Sequence, residues 1–159
     1  MQPDFAFAQF LKGYDFFQAG KYCDAKREWL SSVQLDDSTS PFGLGEIYAR
    51  GLCAEKNDRL ASRWYLTAAL RGHARARAEL GYRYASGKGV KVNLPRAYFW
   101  LSASRVTAGG WESEFLSVVN QNIALIEKYL PESEKKKINM TLERYRKDFR
   151  VPSDFESLE

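Results

Sequence analysis

The chain has 159 residues, with 24 Lys and Arg against 20 Asp and Glu, a formal charge of +4 and a single histidine. That length suits one compact domain or a short solenoid and excludes two ordinary domains. The two signs of charge are interspersed, which argues against a dedicated polyanion binder. One histidine excludes a two-His metal site, and no apolar run approaches the roughly 20 residues that cross a bilayer.

The opening Met1-Gln2-Pro3-Asp4-Phe5 lacks the basic start and apolar stretch of a secretory leader, so a cytoplasmic protein is expected. A periplasmic or secreted location is the alternative if a leader has been removed. Cys23 and Cys53 occupy unlike local positions, form no metal-ligand cluster, and read as free thiols of a reducing compartment.

The first predicted unit, about residues 5–35, is a degenerate copy of the second: Phe17, Gly20 and Ala25 correspond to Tyr48, Gly51 and Ala61 once the connecting loop is shortened. The second and third units, about 40–74 and 75–110, are clear. Leu44-Gly45, Tyr48, Gly51, Ala61 and Trp64 recur 36 residues on, as Leu80-Gly81, Tyr84, Gly87, Ala97 and Trp100. Aromatic falls on aromatic in one register, which marks a repeat architecture.

Each unit reads as two helices. Ala76, Leu80 and Tyr84 make one helical stripe, and Gly81 beside Leu80 admits a close neighbour. Gly87-Lys88-Gly89 ends that helix. Asn57 and Asn93 offer side-chain oxygens to the free amides of the next helices, and Pro95 fits a first turn. The second helix of the third unit runs through Trp100 and Ser104 to Gly109-Gly110. A decayed fourth unit begins at Trp111, where Leu116 continues the register but Ser117 and Asn120 replace the glycine and tyrosine. Capping helices over about 112–150 carry two apolar stripes, Phe115, Val119, Ile123, Ile126 and Leu130, then Ile138, Leu142, Tyr145 and Phe149. No segment alternates as a strand does. Residues 1–150 therefore read as a single all-α domain, followed by a flexible acidic tail over 151–159.

The stretch Leu44-Gly45-x-x-Tyr48-x-x-Gly51, then Ala61-x-x-Trp64-Tyr65-x-x-Ala68-Ala69-x-x-Gly72-His73-Ala74-x-Ala76, continuing into Leu80-Gly81-x-x-Tyr84-x-x-Gly87-x-Gly89-Val90 and Ala97-x-x-Trp100, resembles the tetratricopeptide-related Sel1-like repeat. Asn93 stands where that family usually has aspartate, and the first unit lacks the long loop. The resemblance implies a short α/α solenoid with a C-terminal helical cap, whose concave face is lined by the first helix of each pair and binds protein.

Catalytic chemistry finds no support in the residues. His73 lies in the inter-repeat turn where the family pattern places it. Gly87-Lys88-Gly89-Val90 lacks the full phosphate-loop spacing, and Glu46 and Glu79 fall on different repeats. Tyr48, Tyr84, Trp64 and Trp100 recur at repeat-defining positions and read as core, which removes them as base-stacking platforms. A non-catalytic adaptor is expected, with no cofactor, no metal and no small-molecule substrate, whose partner is another protein. An immunity or inhibitor protein that neutralises a toxin or enzyme is the alternative. A nucleic-acid module using a ridge of Arg71, Arg75, Arg77 and Arg83 ranks below both. The candidate concave-face residues are Lys12 and Asp15 from the first unit, Phe42, Glu46 and Arg50 from the second, and Arg75, Glu79 and Tyr82 from the third. Glu46 aligns with Tyr82 and Arg50 with Ser86, so this face varies while the core repeats.

Overall fold

The computed structural model describes residues 3–35, 37–108 and 113–159. Among the described residues there are eight α-helices and no strand: α1 Pro3–Gln18, α2 Tyr22–Ser32, α3 Thr39–Arg50, α4 Asp58–Leu70, α5 Ala74–Ser86, α6 Leu94–Thr107, α7 Ser113–Glu127 and α8 Glu132–Asp148, with short 3-10 turns at Val33–Leu35 and Ser153–Phe155. Gly109, Gly110 and Trp111, expected to close the third unit and open the fourth, lie outside the described residues.

The 36-residue repeat is repeated atom by atom. Gly51 and Gly87 end α3 and α5 at φ 71° and 74°, a left-handed conformation that costs glycine little. The chain then loops back so that Asn57 and Asn93 donate their amides to the carbonyls of Tyr48 and Tyr84, each at 2.9 Å. Their side chains accept the amides of Leu60 and Arg96, also at 2.9 Å, and so cap α4 and α6. Ala25, Ala61 and Ala97 are all fully buried at equivalent places.

Close approach of the paired helices is set by glycine. A β-carbon on Gly45 would sit 2.6 Å from the Tyr65 ring, and one on Gly81 would sit 2.7 Å from Leu101. In the first unit Gly13 does the same for Trp29. The indole also fills a notch at Gly43, so one ring of α2 fastens α1 to α3. Leu80, Tyr84 and Trp100 are buried in the main core, whereas Tyr48 and Trp64 are half-buried at their repeat-equivalent positions.

The cap departs from a fourth repeat. Both α7 and α8 pack on α6. The Tyr98 hydroxyl of α6 lies 3.2 Å from Glu127 of α7 and 3.2 Å from Asn139 of α8, joining all three helices. Val119, Ile123, Ile126, Ile138, Leu142 and Tyr145 are buried as their spacing predicts. Phe149 is not. It follows the last turn of α8 in a left-handed conformation and is 60% exposed.

Two expectations are corrected. Cys23, in the first turn of α2, and Cys53, in the loop after α3, are joined in a disulfide with their Cα atoms 5.1 Å apart, so they are not free thiols. Stacking of the first two units brings together positions that look unrelated along the sequence. The acidic segment 151–159, expected to be loose, lies against the cap end of the core: the Phe155 ring stacks on Phe99 at 3.9 Å, and Val151 and Leu158 pack beside it. Its apolar residues anchor it despite the surrounding charge.

Candidate functional site

A cleft of about 900 Å³ runs along one face of the solenoid. Every described residue that lines it comes from the first helix of a pair: Tyr14, Phe17 and Gln18 from α1, Phe42 and Glu46 from α3, Arg75, Glu79 and Tyr82 from α5, and Ser113, Glu114, Phe115 and Val118 from α7. An apolar sub-pocket of about 180 Å³ opens at its N-terminal end, walled by Phe10, Trp29, Phe42 and His73.

Five of the eight candidate residues, Phe42, Glu46, Arg75, Glu79 and Tyr82, line the cleft together. Lys12, Asp15 and Arg50 do not. Lys12 turns to Glu28 of α2, 3.0 Å away, Asp15 is exposed off the cleft, and Arg50 at the end of α3 lies over the Phe17 ring at 5.9 Å. The cause is a one-residue slip. From Gly20 to Gly51 is 31 residues, whereas from the packing Gly13 to Gly45 is 32. Aligned on the packing glycine, Tyr14 matches Glu46 and Tyr82, and Phe10 matches Phe42. Tyr14 is therefore the groove residue that the sequence reading assigned to Asp15. The signal was present in Gly13, which occupies the same notch as Gly45 and Gly81.

Electrostatics in the cleft are mixed. Tyr65 of α4 donates its hydroxyl to Glu46 at 2.6 Å, which ties a groove carboxylate to the core. Burial pushes the Tyr65 phenol well above its ordinary range, and the Glu46 charge adds to that. Burial also raises Glu79, and repulsion from Glu46 raises it further. The fold thus brings into one cleft two carboxylates that the repeat spacing separates. Arg75 opposes them from the rim, its guanidinium 5.9 Å from the Phe115 ring. Among the described residues no group of three His, Cys, Asp or Glu side chains could hold a metal ion.

His73 stacks on Phe42, ring centroids 4.4 Å apart, and its Nδ1 accepts the Ala76 amide at 3.1 Å, capping α5. Burial is the main reason its pKa falls from 6.5 to about 4, with Arg75 and Arg77 lowering it further and Asp37 opposing them. Below pH 6.5 the unfolded chain therefore binds a proton that the folded one refuses. Stability is full above about pH 6.5 and declines as the pH falls toward about 4. The loss attributable to His73 is on the order of 2–3 kcal/mol. Replacing His73 with Asn keeps a capping oxygen and removes the titration. Denaturant melts across this pH range should therefore show the wild type losing on the order of 2–3 kcal/mol more than the variant between about pH 6.5 and 4, and parallel curves would exclude the assignment.

Three of the four arginines of the ridge, Arg71, Arg77 and Arg83, are engaged within the fold, and Arg75 alone is exposed on the cleft. Arg77 and Arg83 are 2% and 5% exposed. Arg83 binds the Asp58 carbonyl at 3.1 Å, and Arg71 donates to the carbonyls of Val33 and Asp37 at 2.9 Å each. These side chains tie one element to the next.

Stacked helix pairs packed around two hydrophobic clusters, with a cleft built from the first helix of each pair, define an α/α repeat solenoid. The middle of the chain carries two Sel1-like repeats: residues 42–73 and 74–104 each match the Sel1 repeat. The chain is 30% identical over 102 residues to the alginate biosynthesis protein AlgK of Azotobacter vinelandii, a match covering 64% of this chain and 22% of AlgK. Its fold is similar to a Sel1 repeat protein from Oxalobacter formigenes, with a TM-score of 0.58, 32% identity, and coverage of 60% of this chain and 39% of that one. It is also similar to a protective antigen of uropathogenic Escherichia coli strains that displays an SLR fold. There the TM-score is 0.77 and the identity 20%, over 94% of this chain and 31% of the antigen. The chain thus spans well under half the length of each of these bacterial relatives. Sel1 repeats in general mediate protein–protein interaction and are non-catalytic scaffolds. Among the described residues no helix is long and apolar enough to cross a membrane.

Proposed function

We propose that the chain is a non-catalytic adaptor that holds a segment of a partner protein in the cleft between α1, α3, α5 and α7. The observation that carries this reading is the composition of the cleft: it gathers Tyr14, Phe42, Arg75 and Tyr82, the aromatic and arginine side chains that concentrate binding energy at interfaces, around an apolar sub-pocket. Tyr14, Glu46 and Tyr82 occupy equivalent places on successive units, so a carboxylate stands between two phenols along the cleft. Engagement of Arg71, Arg77 and Arg83 in structural contacts breaks up the basic ridge and weighs against the nucleic-acid alternative. The Cys23–Cys53 disulfide supports work in an oxidising compartment, the periplasm or outside the cell, in place of the cytoplasm.

Glu46 is a poor position for the test, because its replacement would strand the Tyr65 hydroxyl. The informative variant is Arg75→Glu with Tyr82→Ala. Each change lies on the cleft surface and is expected to alter stability by no more than about 0.5–1 kcal/mol. A photoreactive phenylalanine in place of Tyr14 should cross-link the partner in extracts of the source organism. The same probe at exposed Met140 on α8 should not. The double variant should lose the Tyr14 cross-link while its melting is nearly unchanged. A cross-link retained at full yield would move the binding surface away from the cleft.

A further inference from the structure

A second cleft, of about 1080 Å³, lies away from the concave groove, between α4, the loop after α5, and the segment 157–159. Four cations line it, Arg59 and Arg63 of α4, Lys91 of the loop and Arg96 of α6, and the one carboxylate lining it among the described residues is Glu159 of that segment. None of the ion pairs among the described residues involves Arg59, Arg63 or Lys91. The cleft is therefore a concentration of positive charge that the fold itself does not neutralise.

The segment along its edge has the chemistry such a cleft selects. Over Asp154-Phe155-Glu156-Ser157-Leu158-Glu159, acidic residues alternate with anchors. Phe155 stacks on Phe99, and the Arg96 guanidinium lies 6.0 Å from the centre of its ring. Arg96 and the Tyr84 hydroxyl both donate to the Ser157 carbonyl, the latter at 3.2 Å. Leu158 packs on the core, and Val92, 62% exposed, borders the cleft with further apolar surface. The grip is on an aromatic ring, a backbone carbonyl and a leucine, features that any peptide of this pattern would present.

We propose that this cleft is a docking site for an extended acidic segment of a partner protein, with an aromatic residue three positions before a leucine, and that residues 153–159 occupy part of it in cis. Release of this segment exposes Phe99, Tyr84 and Arg96 beside the uncompensated Arg59, Arg63 and Lys91. Occupancy in cis and in trans are then mutually exclusive, which makes the segment a built-in competitor.

The test uses the full chain carrying Phe155→Ala and Leu158→Ala, and a fluorescent peptide of the sequence of residues 151–159 as probe. Anisotropy should show saturable binding to this variant, at least tenfold weaker binding to the wild type, and a steep loss with salt. Adding Arg59→Glu and Arg63→Glu should abolish it, whereas the cleft variant Arg75→Glu/Tyr82→Ala should leave it intact. In the wild type, excess peptide should speed amide hydrogen exchange at residues 153–158, a readout that does not depend on the released variant being well folded. The proposal is overturned by absence of both effects, by binding that ignores the charge reversal, or by self-association of the released variant without peptide, which would make a second copy the occupant.

Discussion

Truncating Trp100 to alanine should destabilise the protein by about 3–5 kcal/mol, the largest effect expected of a single side chain. The indole is fully buried on α6, packs edge-on against Phe99 with ring centroids 5.3 Å apart, and belongs to a helix on which α5, α7 and α8 all rest. Its removal leaves a cavity that three neighbours cannot close together without moving one another. Equilibrium denaturation in guanidinium checks this, and a loss below about 1 kcal/mol would place Trp100 outside the core.

Removing the disulfide should have the next largest effect. Cys23 and Cys53 are separated by 30 residues, for which the entropy of the closed loop amounts to about 3–4 kcal/mol. The double variant Cys23→Ser/Cys53→Ser should lose that much stability, and reduction of the wild type should lower its melting point to match. The loss should fall first on the first unit, because α1 and α2 pack with α3 on a small cluster of Ala25, Trp29, Leu44 and Ile47, separate from the main core. Amide exchange resolved by segment would then rise over residues 8–34 before it rises over α5 and α6. Equal melting of oxidised and reduced protein would show that the bond adds nothing to the packing of Trp29.

The parts of the fold legible in the sequence are those in which one residue type is forced by one contact. Gly45 and Gly81 recur because a neighbouring ring or leucine occupies the space of a β-carbon, and Asn57 and Asn93 recur because each caps a helix. The groove was legible wherever those anchors fix the register, hence Phe42, Glu46, Arg75, Glu79 and Tyr82. It failed in the first unit, where α1 carries one extra residue between its packing glycine and its terminal glycine. Alignment on Gly20 instead of Gly13 shifted the inward face from Tyr14 to Asp15. The disulfide was hidden for a different reason, since its two halves are neighbours only across stacked units and lie at unrelated places within each. Composition misjudged residues 151–159 by averaging: Phe155 and Leu158 decide where the segment lies, and the acidic residues around them do not.

The hydrogen bond from Tyr65 to Glu46 has a consequence for how this scaffold can change. Tyr14 and Arg75 lie outside both hydrophobic clusters, so either can be exchanged without loss of folding. Glu46 is bound by the demands of both cleft and fold, because any successor must still accept the Tyr65 hydroxyl. Divergence among descendants of this chain should therefore be fast at the rim of the cleft and slow at this one place on its floor.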